Sequence, residues 1–114
     1  KIIVPLSAPA TPSVSPGVEG SHIFKASSGT IISLYVVSGA SAGFLMTFNS
    51  ATVPADGSVT PIDCVPVAAN SFAQLNYAPQ PPEWFSTGIV AVFSTTGCFS
   101  KTVSNTAFFH ALIQ

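Results

Sequence analysis

Trp84-Phe85-Ser86-Thr87-Gly88-Ile89-Val90-Ala91-Val92-Phe93 is the stretch that decides the fold. In an extended chain successive side chains point to opposite faces. Ile89, Ala91 and Phe93 therefore share one face, and Val90 and Val92 the other. Both faces are apolar, so the strand needs cover on both sides and belongs in the middle of a packed sheet. A polar stretch follows, Ser94-Thr95-Thr96-Gly97-Cys98-Phe99-Ser100-Lys101-Thr102, and then a second apolar run, Phe108-Phe109-His110-Ala111-Leu112-Ile113. Residues 84–113 thus read as a pair of core strands joined by a polar loop. Helix competes with strand over 103–113, but the β-branched neighbours and the lack of charge favour strand.

Upstream, short extended segments recur at roughly ten-residue spacing, as in an all-β sandwich or barrel. His22–Ala26 alternates. Thr30–Val37 is β-branched and aromatic-rich. Phe44–Asn49 follows a small-residue loop and is expected to form a hairpin with the segment before it. Pro54, Asp56-Gly57 and Pro61 mark turns. Ile62–Val67 carries Pro66, which points to an edge or a bulge. In Phe72–Tyr77, Ala73, Leu75 and Tyr77 face inward and Gln74 and Asn76 outward. Residues 78–83, with three prolines, form a stiff loop into Trp84. The expected fold is an all-β, antiparallel, jelly-roll-like sandwich of seven to eight short strands over residues 21–114. Residues 1–20, punctuated by Pro5, Pro9, Pro12 and Pro16, read as an extended arm. Ile2, Ile3, Val4 and Leu6 would give that arm something to bury against a neighbouring subunit. Lys1–Leu6 is too short an apolar run to read as a signal peptide.

The chain has 114 residues, enough for one domain with a real core. Only 6% of them are charged, against about 25% in ordinary soluble domains. A surface built mainly of Ser, Thr, Asn, Gly, Ala and Pro fits a subunit embedded in an assembly, or an extracellular domain. The three lysines, Lys1, Lys25 and Lys101, form no cluster and the net charge is −1, which argues against phosphate-mediated binding of nucleic acid. The apolar runs are of strand length and are interrupted, which argues against transmembrane helices.

Few residues suggest chemistry. Gly39-Ala40-Ser41-Ala42-Gly43 matches the G-x-S-x-G nucleophile elbow, with Asp63 and His110 following in hydrolase order. The elbow requires a strand, a turn and then a helix. Here a strand follows, in a chain too short for an α/β-hydrolase, so the expectation is a loop and no enzyme. Cys64 and Cys98 are the only cysteines. They are either two free thiols or a disulfide closing a loop of about 35 residues, worth on the order of 4 kcal/mol. Two thiols without nearby His or carboxylate partners make a poor zinc site, and no cofactor is indicated. His22 and His110 read as structural histidines. Trp84 and Phe85 form an aromatic pair suited to core or interface.

Two blocks carry a resemblance. One is Gly39–Asn49 with Ala55-Asp56-Gly57-Ser58-Val59-Thr60-Pro61. The other is Phe85–Gly97 with Phe99-Ser100-Lys101-Thr102. Together, over roughly residues 30–110, the chain resembles a family of small virion structural proteins of tailed bacteriophages and prophages. The proline-rich arm lies outside the matched part, and Cys98 stands where the family pattern leads one to expect proline.

The resemblance implies a non-enzymatic virion component, assembled in the bacterial cytoplasm. Its foremost form is a capsid decoration or cement protein that oligomerises, as a trimer or around a symmetry axis, and stabilises the particle against the major capsid protein. The alternative is a tail- or fibre-associated, or receptor-binding lectin-like, module. The candidate interface residues are Ile2, Ile3, Val4, Leu6, Trp84, Phe85 and Phe99, with no nucleic acid or membrane among the partners.

Overall fold

A computed structural model describes residues 10–76 and 83–114. Its described residues contain eleven strands and no helix. Eight strands build the body: β1 (Thr11–Val14), β2 (Ser21–Lys25), β3 (Gly29–Val37), β4 (Gly43–Asn49), β6 (Asp63–Val67), β7 (Phe72–Asn76), β9 (Ile89–Ser94) and β11 (Phe108–Ile113). The remaining three are short: β5 (Gly57–Ser58), β8 (Glu83–Phe85) and β10 (Ser100–Lys101).

One sheet has the order β1-β11-β3-β7, with β8 also pairing β3, and the other the order β2-β9-β4-β6. All pairings are antiparallel. The body strands cross from one sheet to the other at each step except β4 to β6. That winding of two four-stranded sheets is a jelly roll, as the strand spacing predicts. The roll corrects the expected hairpins, however. β3 and β4 lie in opposite sheets. So do β9 and β11, so the two apolar runs of residues 84–113 face each other across the core and do not pair.

β9 is buried along its whole length. Its neighbours are β2 and β4, so it is central, as its two apolar faces require. Ile89, Ala91 and Phe93 enter the main core with Leu34, Val36, Leu45 and Phe109. Val90 and Val92 point the other way and form a second cluster with Met46 and Phe48. Among the described residues no full sheet covers that side. The loops 50–62 and 95–103 do, contributing Val53, Val59 and Val103 to the cluster, and their β5 and β10 segments pair as a small ribbon.

The expected arm ends earlier than residue 20. From Thr11 the chain is an edge strand on β11. Buried Ser15 exchanges hydrogen bonds with Phe109, its amide donating to the Phe109 carbonyl at 2.8 Å and its Oγ accepting from the Phe109 amide at 2.9 Å. Glu19 bridges Ala107. An edge strand tolerates Pro12 because the missing N–H need not serve an inner ladder. Pro66 sits in β6, the edge of the other sheet, as expected. Residues 1–9, with Ile2, Ile3, Val4 and Leu6, and Tyr77 with residues 78–82 of the loop expected over 78–83, lie outside the described residues; Glu83 of that loop begins β8.

If both faces of β9 are true core, truncation on either side must be costly. Phe93→Ala is expected to lose about 3–5 kcal/mol and Met46→Ala about 2–5 kcal/mol in urea unfolding. A loss below about 1 kcal/mol for Met46→Ala would show that the loop layer is not packed.

Candidate docking surface

The outward faces of the two sheets differ. That of β2-β9-β4-β6 is covered by the loop layer over Met46, Phe48, Val90 and Val92, while Ile23 on the β2 edge stays exposed; the layer is fastened in three ways. Cys64 of β6 is disulfide-bonded to Cys98 in the loop after β9, with the Cα atoms 5.7 Å apart. The Lys101 side chain is 2% exposed, and its Nζ meets Asp56 Oδ1 at 2.5 Å. The hydroxyl of buried Ser94 accepts from the Thr102 amide at 3.0 Å. The Lys101 ammonium holds the Asp56 carboxyl below the usual aspartate range, chiefly through the hydrogen bond between them.

The outward face of β1-β11-β3-β7 has no such cover among the described residues. In an antiparallel ladder, residues directly opposite point to the same side. The register therefore sets Val14, His110, Tyr35 and Gln74 in one row, and Phe108, Val37 and Phe72 in the next. Trp84 joins the same face at the far end, opposite Thr30. Phe72 is 65% exposed and Trp84 61%, and Val14 and Val37 are also exposed. None of the described side chains on this face carries a formal charge. Tyr35 stacks on His110 with ring centroids 5.0 Å apart. On the β7 side, a groove of about 400 Å³ is lined by Tyr35, Val37, Asn70, Ser71, Phe72 and Gln74.

The rim of that groove is held by backbone geometry. The buried Ser38 hydroxyl donates to the Ala68 carbonyl at 2.6 Å and accepts from the Ser71 amide at 3.0 Å. The Asn70 amide donates to the Gly39 carbonyl at 2.6 Å. Asn70 itself takes a positive φ of 52°, which asparagine tolerates better than most residues.

The residues singled out for chemistry do not assemble. Ser41 is exposed in the loop between β3 and β4, Asp63 begins β6, and His110 lies in β11 of the opposite sheet. Asp63 is engaged with Thr47, whose Oγ1 donates to its carboxylate at 3.2 Å. Both glycines of the G-x-S-x-G match have packing reasons. A Cβ on Gly43 would sit 2.5 Å from the Ser94 carbonyl oxygen, and one on Gly39 2.9 Å from that of Thr106. His22 ties the sheets together at one corner, contacting Glu19 Oε2 at 2.7 Å and Ser13 Oγ at 3.3 Å. No three of His, Cys, Asp and Glu cluster as metal ligands among the described residues, and no helix there is long and apolar enough to cross a membrane.

Of the expected interface residues, Trp84 and Phe99 are exposed, Phe99 at 70%. Phe85 is corrected: it is fully buried. It pairs with Gly29 on the inward side of β3 and belongs to the main core, where an aromatic ring has most water to escape. The uncharged sheet face was not foreseen as a unit. Its signal lay in the uncharged outward positions of Thr30–Val37 and Phe72–Asn76, but which strands share a sheet is not written locally. Comparison of the chain with protein-family models, curated proteins and solved structures finds no match.

The fastening of the loop layer makes two predictions. Reduction of Cys64–Cys98, or Cys98→Ser, is expected to cost on the order of 4 kcal/mol by the loop-entropy account; equal denaturation midpoints with and without reductant would refute that. Because the Asp56 pKa is lowered on folding, its contribution is complete above the unfolded value, about pH 4, and disappears as pH falls through the folded one. Asp56→Asn should therefore lower the melting temperature at pH 7 but leave it unchanged at the acid end of the titration. A difference that persists undiminished in acid would show that the loss is not electrostatic.

Proposed function

We propose that the protein is a non-enzymatic structural component of a tailed-phage virion, foremost a capsid decoration or cement protein that self-associates and stabilises the particle. The observation that carries this reading is the sheet face left uncovered and uncharged among the described residues, with Val37 and Phe72 exposed at one end and Trp84 at the other on a jelly roll. Exposed apolar surface of this kind marks interaction sites. The resemblance of Gly39–Asn49 and Phe85–Thr102 to virion proteins supports the same reading. So does a composition with 6% charged residues, which suits surfaces covered by neighbours.

A second reading, a tail- or fibre-associated receptor-binding module, is favoured by one observation. The groove beside Tyr35 and Phe72 combines aromatic rings with the Asn70 and Gln74 amides, a set that suits a neutral sugar.

Mass spectrometry of gradient-purified particles tests the proposal. The decoration reading expects the chain at tens to hundreds of copies per particle, and particles lacking it should disrupt at lower temperature. A few copies per particle would favour the tail or fibre, and a chain found only in the unassembled supernatant would sink both.

A further inference from the structure

We infer that the uncharged face of the β1-β11-β3-β7 sheet is closed by the same face of a second copy, forming a two-fold dimer. This rests on the reading of that face as a docking surface and names its occupant. The first argument is charge. A partner bearing lysines or carboxylates would bury them against Val14, Val37, Phe72 and Trp84 with no described counter-charge on this face to receive them, which is costly. The same face of another copy brings no such penalty, because it is equally uncharged among the described side chains.

The second argument is geometry. An exposed sheet face packs on another sheet about 10 Å away, and a surface meeting its own copy does so around a two-fold axis. The inner faces of this molecule are already packed that way, and the outer face of the other sheet is partly covered by its loops. A flat face that meets its own copy thus supports a two-fold contact.

The third argument is area, and it sets the strength. From Thr30 to Val37 the face is roughly 25 Å long and four strands, or about 19 Å, wide. That flat footprint of roughly 450 Å², though enlarged by the projecting rings of Trp84 and Phe72, falls below the roughly 800 Å² per partner of a standard interface. The contact is therefore a weak, reversible one. It is the kind of contact that becomes populated when copies are held side by side on a particle.

Trp84 is the only tryptophan, so the face carries its own probe. Sedimentation of the full chain from about 1 to 500 µM should show a monomer–dimer equilibrium, accompanied by a blue shift of tryptophan emission and loss of acrylamide quenching. Val37→Lys and Phe72→Glu, both at exposed positions, should each weaken the dimer at least tenfold while leaving the unfolding midpoint near that of the parent chain. Ile62→Lys, exposed on the loop layer, should leave it unchanged. A monomer at every concentration, a dimer indifferent to Val37→Lys and Phe72→Glu, or a neutral oligosaccharide that shields Trp84 in a monomeric protein would each overturn the inference. Particle binding is scored separately. A monomer that binds particles defeats the inference and leaves the proposed function standing, whereas a face-dependent dimer absent from particles does the reverse.

Discussion

Burial of β9 on both faces is the constraint on which the rest depends. A central strand whose alternate residues are all apolar cannot leave one side to water without losing roughly 25 cal/mol for each Å² exposed. The main core takes Ile89, Ala91 and Phe93. Val90 and Val92 need something else, and among the described residues the only other sheet is the two-residue ribbon of β5 and β10. The chain uses two loops. Loops have little apolar surface of their own and little regular hydrogen bonding, so they stay in place only if fastened. The disulfide, the Lys101–Asp56 pair and the two-residue ribbon all lie in this layer. The stabilising devices are concentrated where the fold is least self-sufficient.

The burial of a lysine in that layer follows from the same need. Lys101 sends its chain under the loops with its ammonium aimed at a half-exposed carboxylate. Its methylenes add apolar cover while its charge is satisfied near the surface, the usual behaviour of a long amphipathic side chain. On the opposite sheet no loop, lysine or disulfide covers the outer face among the described residues. The two sides of one sandwich have thus been treated differently, and the proposed role rests on that asymmetry.

Much of the fold was legible because it is local. The doubly apolar Ile89–Phe93, the outward Gln74 and Asn76, and the edge position signalled by Pro66 each depend on a few adjacent residues, and each is found. What was not legible is pairing. The sequence suggests that neighbouring strands make hairpins, but in a jelly roll β3 finds its partners in β7 and β11, and β9 in β2 and β4, tens of residues away. For the same reason the sequence left Phe85 open between core and interface: the inward side of β8 is fixed by its register on Gly29, which no local pattern reveals. The uncharged outer face was hidden similarly, since Val14, Tyr35, Phe72, Trp84 and His110 come from five strands. The two cysteines were visible, and only the fold brings them within bonding distance.

The prolines in the edge strands bear on how such a charge-poor protein avoids uncontrolled growth. An open sheet edge is a template on which further strands can add without limit, and most proteins guard it with charge. This chain has few charges to spend there. Pro12 in β1 and Pro66 in β6 each delete an amide donor from an outer edge. Lys25 stands on the β2 edge. The edges formed by β1, β2 and β6 are thereby poor templates on which further strands could add without limit.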